Sequence, residues 1–200
     1  MFLGDSVTEG YYASTPQKRW STLVASALGL TEINAGMAGT SLQNSDPSDS
    51  TVANNFRDRC ASTSFGNNAG LFFIMGGIND CWHSGSMNVD NFRNDLGEIV
   101  EGRLAYGMRR NDIFVLSPSY VRPGIWATLT GALAGGSDAE YAQFRQASAA
   151  IAAQYSTKYV DVYSFMESRG GTSLLHSDGI HPVDAGHRAI ADAVIAVMQS

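Results

Sequence analysis

The chain is short of charge, of cysteine and of long apolar segments, and each shortage excludes a class of protein. Charged residues make up only 16% of its 200 residues, and the formal net charge is −6. This balance argues against a nucleic-acid partner, because phosphate binding needs a basic face. No apolar run approaches the roughly 20 residues of a membrane helix, so we expect no membrane insertion. A chain with 44% hydrophobic residues and this length can bury one globular core.

The two cysteines and the amino terminus say less about the class of protein. The spacing of Cys60 and Cys81 does not say whether they pair, and buried free thiols are the favoured interpretation. Histidines and cysteines form no pattern with metal-ligand spacing, so we expect neither a metal nor another cofactor. No signal peptide is visible, and little chain precedes Gly4 for a first strand. We therefore expect residues 1–200 to be one domain taken from a longer protein.

Short apolar segments alternate with segments of helical periodicity. The predicted strands are Met1–Asp5, Thr31–Ala35, Leu71–Met75, Asp112–Ser117 and Tyr159–Tyr163. Apolar spacing predicts helices around residues 20–28, 52–60, 92–104, 141–155 and 183–197. We expect Gly29 to end the first helix, Asp138 to cap the fourth and Pro182 to lie in the first turn of the last. The region between Tyr120 and Ser137 is expected to be a long loop.

Strands and helices that alternate in this way predict a single three-layer α/β domain. Continuous apolar runs such as Leu71–Met75 are typical of strands covered on both faces, which favours a five-stranded parallel sheet. Ligands of such sheets bind at the carboxyl ends of the strands. The residues that follow each predicted strand are therefore the first candidates for a functional site.

Ser6 directly follows the first predicted strand, within Gly4-Asp5-Ser6. Its hydroxyl would lie at the strand end, although a serine there is also suited to cap a helix, and a hydroxyl becomes a strong nucleophile only beside a base. Asp178 and His181, late in the chain, are three residues apart and could supply that base together with the acid that orients it.

The same Asp-x-x-His spacing occurs twice more. Asp80 and His83 follow a strand end and remain a competitor. Asp184 and His187 fall inside the last predicted helix, where a structural pair is the better interpretation. His176 has no acid three residues before it, so a packing or surface role is expected.

Glycine and asparagine follow the second and third predicted strands. Gly36 and Gly39 come after the second, and Gly77 and Asn79 after the third. Glycine brings a backbone N–H close to a substrate, and an asparagine amide donates without charge, so these groups could form an oxyanion hole. Ordinary turns use the same residues.

Four sequence blocks have now been described: Gly-Asp-Ser at the start, glycines after the second strand, Gly-x-Asn-Asp after the third, and Asp-x-x-His near the end. Taken together, they resemble the SGNH (GDSL-like) hydrolase family over residues 4–181. The resemblance implies a flavodoxin-like fold, Ser6 as nucleophile, Asp178 and His181 as its partners, and Gly39, Asn79 and the Ser6 N–H as oxyanion donors. Gly39 is preferred to Gly36 because it follows Asn34 by five positions, as the family's glycine does. Val7 replaces the family's frequent leucine. The α/β-hydrolase elbow, Gly-x-Ser-x-Gly, fits less well, since Thr8 occupies its last position.

The implied function is hydrolysis of short-chain esters, with an acetyl group on carbohydrate as the expected substrate. Trp82, His83 and Trp126 could form an aromatic rim for sugar rings, although tryptophans more often pack inside proteins. The alternatives are a lipase or thioesterase of the same family and a non-catalytic carbohydrate-binding module. A glycan substrate would favour an extracellular or secreted location. The sequence does not predict an oligomeric state.

Overall fold

The computed structural model describes residues 1–44, 55–61, 65, 68–82, 87–129 and 135–200. They contain a five-stranded sheet of order β2-β1-β3-β4-β5 in which every pair is parallel. The strands are β1 Phe2–Gly4, β2 Asn34–Gly36, β3 Phe72–Met75, β4 Ile113–Leu116 and β5 Lys158–Val160. The strand order reverses between β1 and β3, so the crevice expected to bind ligands lies where these two strands end.

Helices cover both faces of the sheet and complete the three layers. They are α1 Ser6–Glu9, α2 Trp20–Leu28, α3 Phe56–Ala61, α4 Ile78–Trp82, α5 Val89–Ala105, α6 Asp138–Tyr155, α7 Val162–Ser168 and α8 Asp184–Met198, with short 3-10 turns at Pro16–Lys18, Arg110–Asp112, Ile125–Thr128 and Gly171–Leu174. One layer contains α2, α7 and α8, and the other contains α3, α5 and α6. The predicted three-layer, flavodoxin-like α/β architecture is confirmed.

A row of stacked phenylalanines shows why these sequences form this sheet. Phe2, Phe73 and Phe114 occupy matched positions on β1, β3 and β4, and each neighbouring pair stacks with ring centroids 4.7 Å apart. Trp20 of α2 meets the Phe2 ring edge-on at 5.2 Å. On the opposite face the Arg103 guanidinium of α5 lies over Phe72 at 5.7 Å. Successive strand residues thus face different helical layers, and burying each ring contributes about 2 kcal/mol.

Several predicted boundaries differ from the structure, each for a local reason. The strand predicted at Tyr159–Tyr163 ends at Val160, because Asp161 accepts the Ser164 N–H at 3.1 Å and caps α7. The second strand is Asn34–Gly36 rather than Thr31–Ala35.

Helix ends also differ. Helix α6 is capped by Ser137, one residue before Asp138, through the Glu140 N–H. Pro182 precedes α8 instead of lying in its first turn, since Val183 is the N-cap. Gly29 ends α2 as predicted, with φ 66°. Val52, predicted to begin the second helix, lies outside the described residues.

The long region between Tyr120 and Ser137 contains a 3-10 turn at Ile125–Thr128, and its residues 130–134 lie outside the described part. Cys60 and Cys81 are free, buried thiols, as favoured from the sequence. Among the described residues, no helix is long and apolar enough to cross a membrane.

Candidate active site

Ser6 is the first residue of α1 and does not cap it. The cap is Asp5, whose Oδ1 accepts the Val7 N–H at 2.9 Å. This leaves the Ser6 hydroxyl available for another partner at the carboxyl end of β1. The alternative interpretation of Ser6 as a helix cap is therefore wrong.

That partner is His181. Ser6 Oγ lies 2.8 Å from His181 Nε2, and His181 Nδ1 lies 2.8 Å from Asp178 Oδ2. A carboxylate only accepts hydrogen bonds, so Nδ1 carries the proton of the neutral ring and Nε2 accepts from the serine. The structure thus brings these three predicted residues into one hydrogen-bonded chain, an arrangement able to activate a hydroxyl for attack on a carbonyl carbon.

The loop that carries Asp178 and His181 is held by its own backbone. The His176 N–H donates to the His181 carbonyl at 2.8 Å, and the Gly179 N–H donates to the His176 carbonyl at 3.0 Å. Asp178 Oδ1 accepts the N–H groups of Ile180 and His181 at 2.9 and 3.0 Å. The histidine ring is therefore positioned before any substrate arrives.

Hydrogen bonds keep Asp178 ionised in this loop. Partial burial on its own would raise the pKa of the carboxyl. The N–H groups of Ile180 and His181 together with the His181 ring outweigh that effect and lower the pKa. An ionised Asp178 stabilises the positive charge that the imidazole acquires when it takes a proton.

The glycine block after β2 separates into a packing residue and a candidate donor. A Cβ on Gly36 would lie 2.1 Å from the Glu9 backbone nitrogen, so only glycine allows β2 to approach α1 this closely. The Gly36 N–H is already bonded to Asn34 Oδ1 at 2.8 Å. Gly39 has φ 75°, and its N–H has no hydrogen-bond partner within the described part of the chain. The structure therefore favours Gly39 over Gly36 as a donor.

The loop that contains Gly39 is fastened to the serine segment. The Met37 N–H donates to the Gly4 carbonyl at 3.0 Å, and the Ala38 N–H donates to Glu9 Oε2 at 2.6 Å. Glu9 is the last residue of α1, the helix that begins at Ser6. The candidate donor loop and the candidate nucleophile are thus parts of one hydrogen-bonded unit.

Asn79 reaches the same loop from β3. It lies in α4, is only 7% exposed, and donates through Nδ2 to the Thr40 carbonyl at 2.9 Å. An amide nitrogen carries two hydrogens, so this bond leaves one available. The structure places Asn79 against Thr40, the residue that follows the candidate donor Gly39.

Two carboxyls, those of Asp5 and Asp80, are buried behind the site. The sequence did not predict that they would be buried together. Asp80 accepts the N–H groups of Leu42 and Gln43 at 3.0 to 3.1 Å, which holds the chain after β2. Burial raises the pKa of Asp5 to about 7; the Val7 N–H opposes the shift, the Asp80 charge adds to it and the Arg59 charge opposes it.

The competing Asp-x-x-His pairs have other partners. Asp80 is engaged as described, and His83 lies outside the described residues, so the Asp80–His83 pair is not tested. Asp184 accepts the N–H and hydroxyl of Ser14 at 2.8 and 2.7 Å. His187 Nε2 lies 3.0 Å from the Tyr11 carbonyl. Both side chains of α8 therefore hold residues 11–14 rather than each other.

The predicted aromatic rim is only partly compatible with the structure. Trp126 is 5% exposed and packs on Tyr141 with ring centroids 5.2 Å apart, so it offers little surface to a sugar. Trp82 ends α4 and is partly buried against the core. His83 falls outside the described residues.

Two tyrosines near His181 were not predicted from the sequence. The rings of Tyr11 and Tyr12 lie 5.3 and 5.7 Å from the His181 ring, and His176 stacks on Tyr12 at 3.7 Å. His176 thus has a packing role at the surface, as expected from the sequence, and it also belongs to the site's surroundings. In the sequence, the only indication of an aromatic surface here is that Tyr11 and Tyr12 follow shortly after Ser6.

In the part of the chain that the structure describes, no group of three or more histidine, cysteine or acidic side chains is arranged to hold a metal ion.

Several solved structures share the fold of this chain. A lipase/acylhydrolase from Enterococcus faecalis matches with a TM-score of 0.75 and 20% identity over 99% of this chain and 93% of that one. A variant of an acetyl-xylooligosaccharide esterase from Geobacillus Stearmophilus matches with a TM-score of 0.74 and 18% identity over 100% and 93%. A carbohydrate acetylesterase from Sinorhizobium meliloti matches with a TM-score of 0.75 and 20% identity over 98% and 96%.

These likenesses, at identities of 18–20%, show that the fold is shared. The sequence itself matches the GDSL-like Lipase/Acylhydrolase family over residues 2–189. The chain therefore belongs to the GDSL-like lipase/acylhydrolase family. No curated protein sequence matches it significantly.

Proposed function

We propose that this protein is a serine esterase that hydrolyses short-chain carboxylic esters, with acetyl groups on carbohydrate as its substrate. The observation that carries the proposal is the chain of two 2.8 Å contacts from Ser6 through His181 to Asp178. Membership of a family of ester hydrolases supports the reaction type. Two neighbours of the same fold are named for acetyl-xylooligosaccharide and carbohydrate acetyl esters, which supports the choice of substrate class.

The proposed reaction is acyl transfer to water in two steps. His181 Nε2 takes the Ser6 proton as Oγ attacks the ester carbonyl carbon, and then delivers that proton to the oxygen of the leaving alcohol. A water molecule repeats the attack on the acyl-serine with His181 again as base, which releases the carboxylic acid and restores Ser6. Asp178 holds the ring and balances its charge in both steps.

The oxyanion would be held by the N–H groups of Ser6 and Gly39 and by Asn79 Nδ2. The Ser6 and Gly39 N–H groups have no partner among the described residues, and Asn79 has one hydrogen available. Removal of one such donor typically costs on the order of 3 kcal/mol of transition-state stabilisation. These donors act on charge that exists only in the transition state, so they would raise kcat more than they lower KM.

The test is a panel of p-nitrophenyl esters of increasing acyl length, together with acetate release from acetylated xylan. We expect the highest kcat/KM for acetyl and a loss of at least about 10³-fold in Ser6→Ala. Ser168→Ala is the matched control, since this hydroxyl bonds the Phe165 carbonyl at the end of α7. Rates that rise with acyl length would indicate a lipase or thioesterase instead. Equal or absent rates in wild type and Ser6→Ala would indicate a binding module.

A further inference from the structure

Two exposed tyrosines stand beside the histidine of the proposed site. Tyr11 is 48% exposed and Tyr12 is 46% exposed; their rings meet edge-on with centroids 6.0 Å apart. Both ring centroids lie within 6 Å of the His181 ring, at 5.3 and 5.7 Å. Aromatic rings usually bury their apolar faces, so two that stay open beside a reactive group require an explanation. We call Tyr11 and Tyr12 the tyrosine pair.

The segment that presents the tyrosine pair is held by two residues of α8. Asp184 holds Ser14 through two hydrogen bonds of 2.8 and 2.7 Å. His187, which is fully buried, reaches the Tyr11 carbonyl at 3.0 Å. A carbonyl only accepts, so Nε2 carries the proton, and Nδ1 has no partner among the described residues. These contacts of α8 hold residues 11–14, and with them the two tyrosines, against the helix.

The backbone of Tyr12 is itself strained. Its φ of 58° lies in the left-handed region, which costs a non-glycine residue of order 1 kcal/mol or more and is concentrated at functional sites. Glycine or asparagine at this position would remove that cost. Tyr12 therefore occupies an unfavourable conformation, which is consistent with a role for its ring.

The tyrosine pair is also connected to the acid of the hydrogen-bonded chain. His176 stacks on Tyr12 with ring centroids 3.7 Å apart and an interplanar angle of 10°, so one face of Tyr12 is covered. His176 Nδ1 lies 3.6 Å from Asp178 Oδ2. The position of the Tyr12 ring is thereby fixed relative to Asp178 and His181.

The location beside His181 shows which half of an ester the tyrosine pair would contact. In the proposed reaction His181 Nε2 gives its proton to the oxygen of the leaving alcohol. Groups around the histidine ring therefore face the alcohol half, whereas Asn79 and Gly39 face the carbonyl oxygen.

We propose that Tyr11 and Tyr12 form a binding subsite for the alcohol half of the substrate and that this half is a sugar ring. The inference rests on the proposed esterase function and adds the residues that would select its alcohol. A pyranose presents C–H bonds on its face, which pack on the electron-rich face of an aromatic ring, and hydroxyls at its edge, which pair with tyrosine O–H groups.

The test compares two acetyl esters that differ only in the alcohol. The measured quantity is the kcat/KM for acetylated xylobiose divided by that for ethyl acetate, whose alcohol is too small to cover a ring. We expect this ratio to fall about tenfold in Tyr11→Ala and in Tyr12→Asn, mainly through KM for the sugar ester. Asparagine is chosen at position 12 because it tolerates a positive φ. Tyr11→Phe and Tyr12→Phe should restore most of the ratio.

The matched control is Tyr106→Ala. Tyr106 is 48% exposed but follows α5, at the edge of the sheet where the strands begin. Its variant should keep the wild-type ratio. An unchanged ratio in Tyr11→Ala and Tyr12→Asn, or an equal fall in Tyr106→Ala, would overturn the proposal. A fall for phenyl acetate without one for the sugar ester would also overturn it, since the pair would then select aryl alcohols.

A second measurement separates the subsite from the esterase proposal. In Ser6→Ala, saturation-transfer NMR with free xylobiose reports contact between aromatic side chains and sugar without any turnover. We expect transfer to the sugar ring protons and its loss in Ser6→Ala combined with Tyr12→Asn. Transfer that persists in the double variant would refute the subsite whatever the esterase assays show. If the preferred acyl group proves longer than acetyl, the same alcohol ratio is measured with that acyl group.

Discussion

Asp178 holds His181 at two different atoms. Its Oδ1 accepts the His181 backbone N–H at 3.0 Å, and its Oδ2 lies 2.8 Å from Nδ1 of the same residue. One carboxylate thus contacts both the backbone and the ring of the histidine, and the separation of three residues allows both contacts. Because Nδ1 is bound to Asp178, the other ring nitrogen, Nε2, is the one that contacts Ser6.

The first prediction concerns the second of these contacts. In Asp178→Asn the carbonyl oxygen can still accept the backbone N–H, but the amide nitrogen cannot accept from Nδ1. The ring would then carry its proton on Nε2 and could not take one from Ser6, so kcat is expected to fall by about 10³- to 10⁴-fold with the fold retained. Steady-state kinetics and thermal melting test this. Asp192→Asn, which breaks a surface pair with Arg188, should keep full activity; a comparable loss there would refute the argument.

The second prediction concerns the amide of Asn79. Asn79→Ala should lower kcat by about 10²-fold or more with little change in KM, because an oxyanion donor acts mainly in the transition state. The lost bond to Thr40 should cost about 1 kcal/mol of stability. Asn94→Ala, on the exposed side of α5, is the matched control. A near-normal kcat in Asn79→Ala would exclude this amide from the oxyanion hole.

The third prediction assigns Asp80 to structure rather than to chemistry. Its buried carboxylate holds the N–H groups of Leu42 and Gln43, and Asp80→Ala would remove the acceptor that these two groups share. We expect the free energy of unfolding, measured by urea denaturation, to fall by about 2–4 kcal/mol. The control variant Asp90→Asn, at an exposed position of α5, should have little effect. A large loss of kcat in Asp80→Asn with unchanged stability would instead support a catalytic Asp80–His83 pair.

Much of this fold and site could be predicted because the relevant patterns are local. The apolar runs of β3 and β4 and the three-residue spacing of Asp178 and His181 are each contained in a few neighbouring positions. The error at the end of β5 arose because the apolar run from Tyr159 to Tyr163 conceals a helix cap at Asp161. Apolar character cannot distinguish a strand from the first turn of a buried helix.

The surroundings of the site could not be predicted from the sequence, because they join distant segments. The contacts of Tyr12 with His176 and of Tyr11 with His187 exist only once α8 and the loop before it have packed beside the segment after α1. Nothing in the spacing of these residues indicates the contact. Likewise, Trp126 looks like a candidate rim residue in the sequence, and only its packing against Tyr141 shows how little of it is exposed.

The fourth prediction concerns the buried carboxyl beside the nucleophile. Burial raises the pKa of Asp5 to about 7 from 3.8, the Asp80 charge contributing and the Val7 N–H and Arg59 opposing. A folded-state pKa above the unfolded value means that the folded protein binds the proton more tightly. The protonated Asp5 carboxyl therefore contributes its full stabilisation of the folded state below the unfolded pKa of 3.8. That contribution is lost as the pH rises through the folded-state pKa of about 7. The full loss is on the order of 4 kcal/mol.

Asp5→Asn isolates this effect. Asparagine keeps an oxygen to accept the Val7 N–H and remains neutral at every pH, so the variant should gain stability over wild type as pH rises from 4.5 to 7.5. Urea denaturation at several pH values measures the difference, in which the titration of other groups largely cancels. Asp5→Ala serves as control: it should show the same pH trend, displaced downward by about 1 kcal/mol because the helix cap is lost. Parallel stability curves for wild type and Asp5→Asn would show that Asp5 ionises normally in the folded protein.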